Sequence, residues 1–237
     1  MDEKTDMKGQ ARFLRAYCYW ALMRVYGPVP LIPLEGLDVN LSYEELSLPR
    51  EHFDVLVDFV DKELMEAARS LPTKRTVNNL GRPTRGAALG LRSRVLLFAA
   101  SPLFNGNTDL FDVKDCYGNL LIAQEYDESK WARAAAAARD VIELAKSADL
   151  YELYTIAPKA TTLEWERPPY NDEYSNKTYP DGWADVDPLL SYKSIFDGTI
   201  LGSKNRELIY TRTRNGHTCI DNWNEQLMPK TLSGKNR

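Results

Sequence analysis

The sequence is poor in the residues that most often carry catalysis or hold metals, with two histidines and three cysteines among 237 residues. The cysteines, Cys18, Cys116 and Cys219, are odd in number and lack the spacing of a metal site. Neither His52 nor His217 belongs to a metalloprotease motif, and the chain has no nucleophile elbow and no phosphate-binding loop. We therefore predict no enzyme activity, no cofactor and no metal.

The chain also lacks an excess of positive charge and any long apolar run. Its formal net charge is −4 and its isoelectric point is near 5.4. Because binding to nucleic acid requires clustered Lys and Arg, nucleic acid is not an expected partner. No run of about 18 apolar residues is present, so no segment is predicted to span a membrane. The N-terminal residues have no apolar region of the kind that a signal peptide requires.

The clearest helical pattern lies in residues 10–34. Good helix formers run from Ala11 to Val25, and Gly27 and Pro28 then end the helix. One face carries Leu14, Cys18, Leu22 and Val25, with Phe13, Tyr17, Trp20 and Ala21 beside it. An apolar arc of this width predicts a helix that is buried on more than one side, with Cys18 as a small core residue.

Three more helices are predicted downstream. Residues 50–70 have one apolar stripe at helical spacing, formed by Phe53, Leu56, Val60, Leu64, Ala67 and Leu71. Residues 85–101 follow the capping residue Thr84, and their small residues would let a neighbouring helix approach closely: Gly86, Ala87, Ala88 and Gly90. Residues 130–145 are rich in alanine and follow Ser129. The spacing of these helices approaches the period of tetratricopeptide helix pairs.

The helical pattern ends near residue 155, and residues 155–205 combine Pro and Gly with many aromatic and acidic side chains. An exposed aromatic ring can stack on the apolar face of a sugar, although each ring could instead pack on the helices beneath. The candidate glycan-binding residues are Trp183 first, then Trp165, Tyr170, Tyr179, Asp181 and Trp223. The carboxylates of residues 181–187 do not follow the EF-hand pattern, and the sequence leaves calcium binding open. Leu208–Tyr210 has the composition of a short strand.

Four separated stretches resemble signatures of the SusD/RagB family. The first is Phe13-Leu-Arg-Ala, with Tyr26-Gly-Pro-Val-Pro-Leu31 after it. The second is Gly81-Arg-Pro-Thr84, followed by Arg94-Val-Leu-Leu-Phe-Ala-Ala-Ser-Pro102. The third combines Trp131-Ala, Asp140-Val-Ile142 and Tyr151-Glu-Leu-Tyr154, and the fourth is Asn205-Arg-Glu-Leu-Ile209.

This resemblance implies a mainly α fold, built of tetratricopeptide-like helix pairs with long irregular loops and minor β structure. Residues 1–154 would form the helical scaffold, and the aromatic-rich residues 155–237 would pack on it. Members of the family are longer and begin with a signal peptide and a lipid-bearing cysteine. The chain is therefore similar to an internal or truncated piece of such a protein, and Cys18, inside a helix, is not expected to carry a lipid.

The family's function would be non-catalytic binding of an oligosaccharide or polysaccharide at the surface of the outer membrane. Its members are lipoproteins of Bacteroidetes that deliver glycans to a SusC-like TonB-dependent transporter. Two alternatives stay open from the residues themselves. A tetratricopeptide-type adaptor would bind a partner protein and ignore sugars, whereas a glycoside hydrolase would use two carboxylates of the aromatic loop.

Overall fold

The computed structural model describes residues 2–38, 40–159, 162–197, 199–200 and 205–210. Its helices are α1 (Glu3–Tyr26), α2 (Tyr43–Leu46), α3 (Phe53–Ser70), α4 (Arg85–Ala100), α5 (Ser129–Ala148) and α6 (Pro188–Phe196). Single 3-10 turns occupy Val77–Asn79, Thr108–Leu110 and Glu164–Glu166. His217, Cys219 and Trp223 lie outside the described residues. The expectation of a mainly α fold is confirmed.

The long helices pack in the order in which they occur in the chain. α1 packs on α3, α3 on α4, and α4 on α5, while α1 and α4 have little direct contact. Each helix therefore contacts its neighbours in sequence, as in stacked helical pairs of the tetratricopeptide type. The predicted helices all exist, but α1 begins eight residues before Ala11 and α5 continues to Ala148.

The apolar stripe of α3 is the centre of the core. All six residues that the periodicity selects for this stripe are buried, from Phe53 to Leu71. The ring of Phe53 also stacks on that of Phe104, with ring centroids 3.8 Å apart. The helix begins one turn later than the sequence suggests, because the imidazole Nδ1 of His52 accepts a hydrogen bond from the backbone N–H of Asp54 and caps it.

The prediction for the buried face of α1 is wrong. Of the predicted apolar arc the helix buries Phe13 and Trp20, and it adds Ala16, Tyr19 and Met23. Leu14, Cys18, Leu22 and Val25, the predicted core face, are exposed. Only α3 packs extensively on α1 in the part of the chain that the structure describes. Since α1 is apolar over most of its circumference, hydrophobic periodicity did not indicate which side meets that neighbour.

Charged side chains join successive helices. Glu63 of α3 is buried, and its carboxylate accepts hydrogen bonds from Arg12, at 3.1 Å, and from Arg15 of α1. Arg92 of α4 forms ion pairs with one aspartate of α3 and one of α5. A buried carboxylate without its partners is strongly destabilising, so these pairs favour one alignment of the helices.

The two glycines of α4, Gly86 and Gly90, contact loop side chains rather than a closely approaching helix. A Cβ atom on Gly86 would lie 2.4 Å from the hydroxyl oxygen of Tyr151. A Cβ atom on Gly90 would lie 3.8 Å from the nearest atom of Ile209, which is an ordinary contact. The neighbours of both glycines thus come from the segments that follow α5. The expectation of a close helix at this position is corrected accordingly.

Residues 205–210 lie against the segment that follows α5. Arg206 forms ion pairs with Asp149, at 2.7 Å, and with Glu152, at 2.6 Å. The backbone N–H of Tyr154 donates a hydrogen bond to the carboxylate of Glu207, at 2.7 Å.

The strand expected at Leu208–Tyr210 is not formed, and these residues are irregular. Among the described residues there are no strands, only two isolated β-bridges. The ring of Tyr210 packs edge-on against Phe13 at a centroid distance of 5.7 Å, and Ile209 approaches Gly90. Packing against helices thus takes the place of pairing with another strand.

The aromatic region contains one helix, α6, that the sequence reading missed. Asp187 caps it by accepting a hydrogen bond from the backbone N–H of Leu190, at 2.9 Å, and its other carboxylate oxygen accepts one from the hydroxyl of Thr162, at 2.7 Å. The backbone N–H of Asp187 donates to the carbonyl of Ile156, at 2.7 Å. The N–H of Ile156 donates to the hydroxyl of Ser191, at 2.9 Å. These hydrogen bonds hold Ile156 and Thr162 against the first turn of α6.

Gly86→Ala is expected to lower the free energy of unfolding by about 1–3 kcal/mol, because the added methyl group overlaps the ring of Tyr151. Gly90→Ala is the matched control in the same helix. It should be neutral or stabilise by up to about 1 kcal/mol, because alanine favours the helix and its Cβ atom would make only an ordinary contact with Ile209. Urea denaturation followed by circular dichroism measures both. Equal destabilisation by the two substitutions would contradict the packing described.

A pH dependence is expected from Asp6. Its carboxylate accepts hydrogen bonds from Arg75, at 2.7 and 2.8 Å, which hold the pKa of Asp6 below its ordinary value of 3.8. A lowered pKa stabilises the folded state above the unfolded-state pKa, and this contribution is lost as pH falls through the folded-state pKa. Asp6→Asn should therefore destabilise the protein at neutral pH, and the difference from the wild type should shrink below about pH 4.

Denaturant titrations at neutral and acidic pH measure this difference. Glu44→Gln removes an exposed carboxylate that has no ion pair among the described residues, and it serves as the control. A difference between wild type and Asp6→Asn that stays constant with pH would refute the assignment.

Candidate functional site

A groove of about 590 Å³ opens in the aromatic region, between the segment after α5 and the start of α6. Three of the sequence-predicted residues line it together: Trp165, Tyr170 and Trp183. Four prolines also line it, at positions 158, 168, 169 and 188. Because proline fixes a backbone torsion, much of this wall is stiff before any ligand arrives.

Trp165 presents the most accessible tryptophan ring of the groove. It lies in the 3-10 turn Glu164–Glu166, and 75% of its surface is exposed. Tyr170 is 69% exposed, and its hydroxyl accepts a hydrogen bond from the side-chain amide of Asn176, at 2.8 Å. This hydrogen bond orients the tyrosine ring without burying it. Both rings are therefore free to contact a ligand.

The ring of Trp183 is less accessible than the polar residues next to it in the sequence suggest. Its ring is partly buried and stacks on that of Tyr174, with centroids 5.7 Å apart and planes inclined by 27°. Its backbone N–H donates a hydrogen bond to the carbonyl of Tyr174, at 3.2 Å. Gly182 is required here, since a Cβ atom would lie 2.1 Å from the same carbonyl oxygen. Trp183 thus forms a fixed part of the wall rather than a fully exposed ring.

The remaining predicted residues are placed elsewhere. Tyr179 and Asp181 are exposed but do not line the groove. The backbone N–H of Tyr179 donates to the carboxylate of Asp185, at 2.8 Å, so that carboxylate stabilises the local turn. Trp223 is outside the described residues.

The polar lining includes residues that the sequence reading did not select. Glu164 and Arg167 are exposed side chains at the two ends of the turn that carries Trp165. Ser175 and Asn176 line the groove beside Tyr170. The usable sequence signal was the adjacency of a carboxylate and a guanidinium to Trp165. Asp187 also lines the groove but is only 2% exposed, and both of its carboxylate oxygens already accept hydrogen bonds.

Among the described residues, no group of three or more His, Cys, Asp or Glu side chains is arranged to hold a metal ion. In the same part of the chain, no helix combines the length and hydrophobicity needed to cross a membrane. Cys18 and Cys116 are exposed free thiols. The groove itself offers aromatic faces, amide and hydroxyl groups, one exposed carboxylate and one guanidinium.

Comparison with known proteins gives a consistent result. The family model "SusD-like_3: Starch-binding associating with outer membrane" matches residues 1–97. No match was found among curated proteins. A solved structure of a protein called BT4246 is 26% identical to this chain, with a TM-score of 0.68. The alignment covers 99% of this chain and 39% of the BT4246 chain. A selenomethionine form of BT4246 is 36% identical over 65% of this chain and 26% of its own, with a TM-score of 0.53.

A SusD-like protein from Bacteroides fragilis NCTC 9343 is 25% identical over 65% of this chain and 23% of its own, with a TM-score of 0.45. The chain thus spans well under half the length of these structures. Its first 97 residues carry the family match, and nearly all of it shares the helical arrangement of BT4246. The chain is similar to the SusD-like family in sequence over residues 1–97, and to BT4246 in fold.

Proposed function

We propose that this chain binds a glycan, without cleaving it, in the groove lined by Trp165, Tyr170 and Trp183. The supporting observation is the convergence of three aromatic side chains, two of them largely exposed, on one groove of about 590 Å³. That volume lies within the usual range for small-molecule sites. Aromatic rings offer large apolar faces at fixed positions, and the apolar face of a pyranose packs on them.

Trp165 is the main stacking ring in this proposal, and Trp183 is a fixed wall beside it. A ring that is 75% exposed can lie flat against a sugar with no rearrangement. The amide of Asn176 and the hydroxyl of Ser175 add groups that exchange hydrogen bonds with sugar hydroxyls. The division into a helical scaffold, residues 1–154, and an aromatic region, residues 155–237, forms part of the same proposal.

The arrangement of the carboxylates supports binding rather than hydrolysis. A glycoside hydrolase needs two carboxyl groups, one on each side of the scissile bond. Among the side chains that the structure describes, Asp187 and Glu164 are the carboxylates that line the groove. Asp187 is buried, with both oxygens engaged in hydrogen bonds, so it is poorly placed to donate or accept a proton from a sugar.

The family description associates these proteins with starch binding and with the outer membrane. We propose by extension that the whole protein holds its glycan at the outer-membrane surface through a lipid anchor. There it would deliver the glycan to a SusC-like TonB-dependent transporter. This step rests on the similarity of residues 1–97 to the family and not on the geometry of the groove.

Trp165→Ala is expected to weaken glycan binding about tenfold, because it removes the main stacking surface. Trp131→Ala is the matched control, since Trp131 is an accessible tryptophan of α5 outside the groove. Isothermal titration calorimetry is the suitable measurement, as both substitutions remove an intrinsic fluorophore. The panel comprises α-1,4-, β-1,3- and β-1,4-glucans, mannan, xylan and galactan.

Chromatography of the same mixtures tests the absence of cleavage. Saturable binding, unchanged sugars and a loss confined to Trp165→Ala would support the proposal. New oligosaccharide products would contradict the non-catalytic assignment. No binding across the panel by a chain with a helical circular dichroism spectrum would contradict glycan binding and favour the adaptor alternative.

A further inference from the structure

Two charged side chains close in sequence to Trp165 have no side-chain partner among the residues that the structure describes. Glu164 begins the 3-10 turn that presents Trp165, Arg167 directly follows that turn, and both are exposed in the groove. No hydrogen bond or ion pair joins either side chain to another described residue, although three positions separate them along the chain. The carboxylate can only accept hydrogen bonds, and the guanidinium can only donate them. An acceptor and a donor thus line the same groove as the Trp165 ring.

The charge around the groove is mostly negative. Residues 162–197 contain eight carboxylates and three basic side chains. Arg167 is the one basic residue among the described residues that line the groove, whereas Glu164 and Asp187 both contribute carboxylates to it. Clefts lined by one sign of charge concentrate their field and repel ligands of the same sign. The groove is therefore unfavourable for a polyanion despite the presence of Arg167.

We propose that the groove selects uncharged glycans over acidic ones, and that Glu164 is the residue that sets this selection. The inference rests on the proposed glycan binding and deepens it. Glu164 accepts hydrogen bonds from sugar hydroxyls at the edge of the ring stacked on Trp165. A uronic acid at that edge would bring a second carboxylate toward Glu164. Two like charges about 4 Å apart in water lower the affinity about fivefold.

Arg167 acts in the opposite sense. Its guanidinium is always charged and would donate hydrogen bonds to sugar oxygens in the same groove. Its positive charge partly offsets the negative field, so removal of that charge should make the groove more selective against acids. Removing the charge of Glu164 and removing that of Arg167 should therefore change the preference for neutral over acidic glycans in opposite directions. A general effect on folding would not produce that pattern.

The test compares glucan oligosaccharides with the same oligosaccharides oxidised at C6, which replaces the primary hydroxyl group by a carboxylate. The measured quantity is the ratio of Kd for the oxidised form to Kd for the neutral form, by calorimetry on the whole chain. Wild-type protein should give a ratio of about five or more at low salt. The ratio should fall toward one at about 1 M salt, where screening reduces the range of the charge to about 3 Å.

Glu164→Gln should reduce the ratio about fivefold, and Arg167→Gln should raise it while weakening binding of the neutral form. Asp172→Asn is the matched control, since Asp172 is exposed in the same region but does not line the groove. It removes the same charge and should leave the ratio nearly unchanged. Circular dichroism of each variant checks that the helical content is preserved.

Oxidised forms that bind as tightly as the neutral forms would overturn the inference and leave the proposed function intact. Equal effects of Glu164→Gln and Asp172→Asn would also overturn it, because selection would then reflect the net charge of the region and not Glu164. If neither the neutral nor the oxidised oligosaccharides bind to the wild type or to any variant, both the inference and the proposed function fail. A wild-type preference for neutral sugars, lost in Glu164→Gln and diminished by salt, supports it.

Discussion

The arrangement of the aromatic region depends on the buried carboxylate of Asp187. One of its oxygens caps α6, and the other accepts a hydrogen bond from the hydroxyl of Thr162. Its backbone N–H donates a hydrogen bond to the carbonyl of Ile156. A carboxylate at this depth requires hydrogen-bond donors, because an unpaired buried charge is costly. The segment before the groove and the helix after it are therefore fixed to the same point. The aromatic residues between them then have limited freedom in how they face one another.

Several independent features make the groove rigid. Four prolines restrict its backbone, Tyr170 is oriented through Asn176, and Gly182 permits the chain to pass directly under Tyr174. Each removes conformations that a flexible loop would otherwise lose on binding. Preorganisation of this kind reduces the entropy cost of association. An irregular loop can thus act as a binding surface because its stiffness comes from local chemistry rather than from a sheet or a long helix.

The sequence predicted the scaffold better than it predicted the site. The face opposite the stripe from Phe53 to Leu71 carries mostly charged residues, so periodicity identified both the helix and its buried side. From Phe13 onward α1 is apolar over a wide arc, and the same reasoning selected Cys18 and Val25, which are exposed. α6 was missed because its first residue is a proline within a Pro- and Gly-rich segment, although proline is well tolerated in a first helical turn. For the site, composition indicated aromatic residues in the correct segment. The relative exposure of Trp165 and Trp183 depended on contacts distant in sequence, such as that of Trp183 with Tyr174.

The exposed side of α1 has a practical consequence for work on this chain. Cys18 is a free thiol among accessible apolar side chains that include Leu14, Leu22 and Val25. A thiol in that position is a natural attachment point for an environment-sensitive dye. The emission of such a dye would report whether this side of the helix meets water or protein in longer forms of the polypeptide. The side of α1 that periodicity misjudged would thereby carry a spectroscopic probe of the scaffold, at a residue that does not line the aromatic groove.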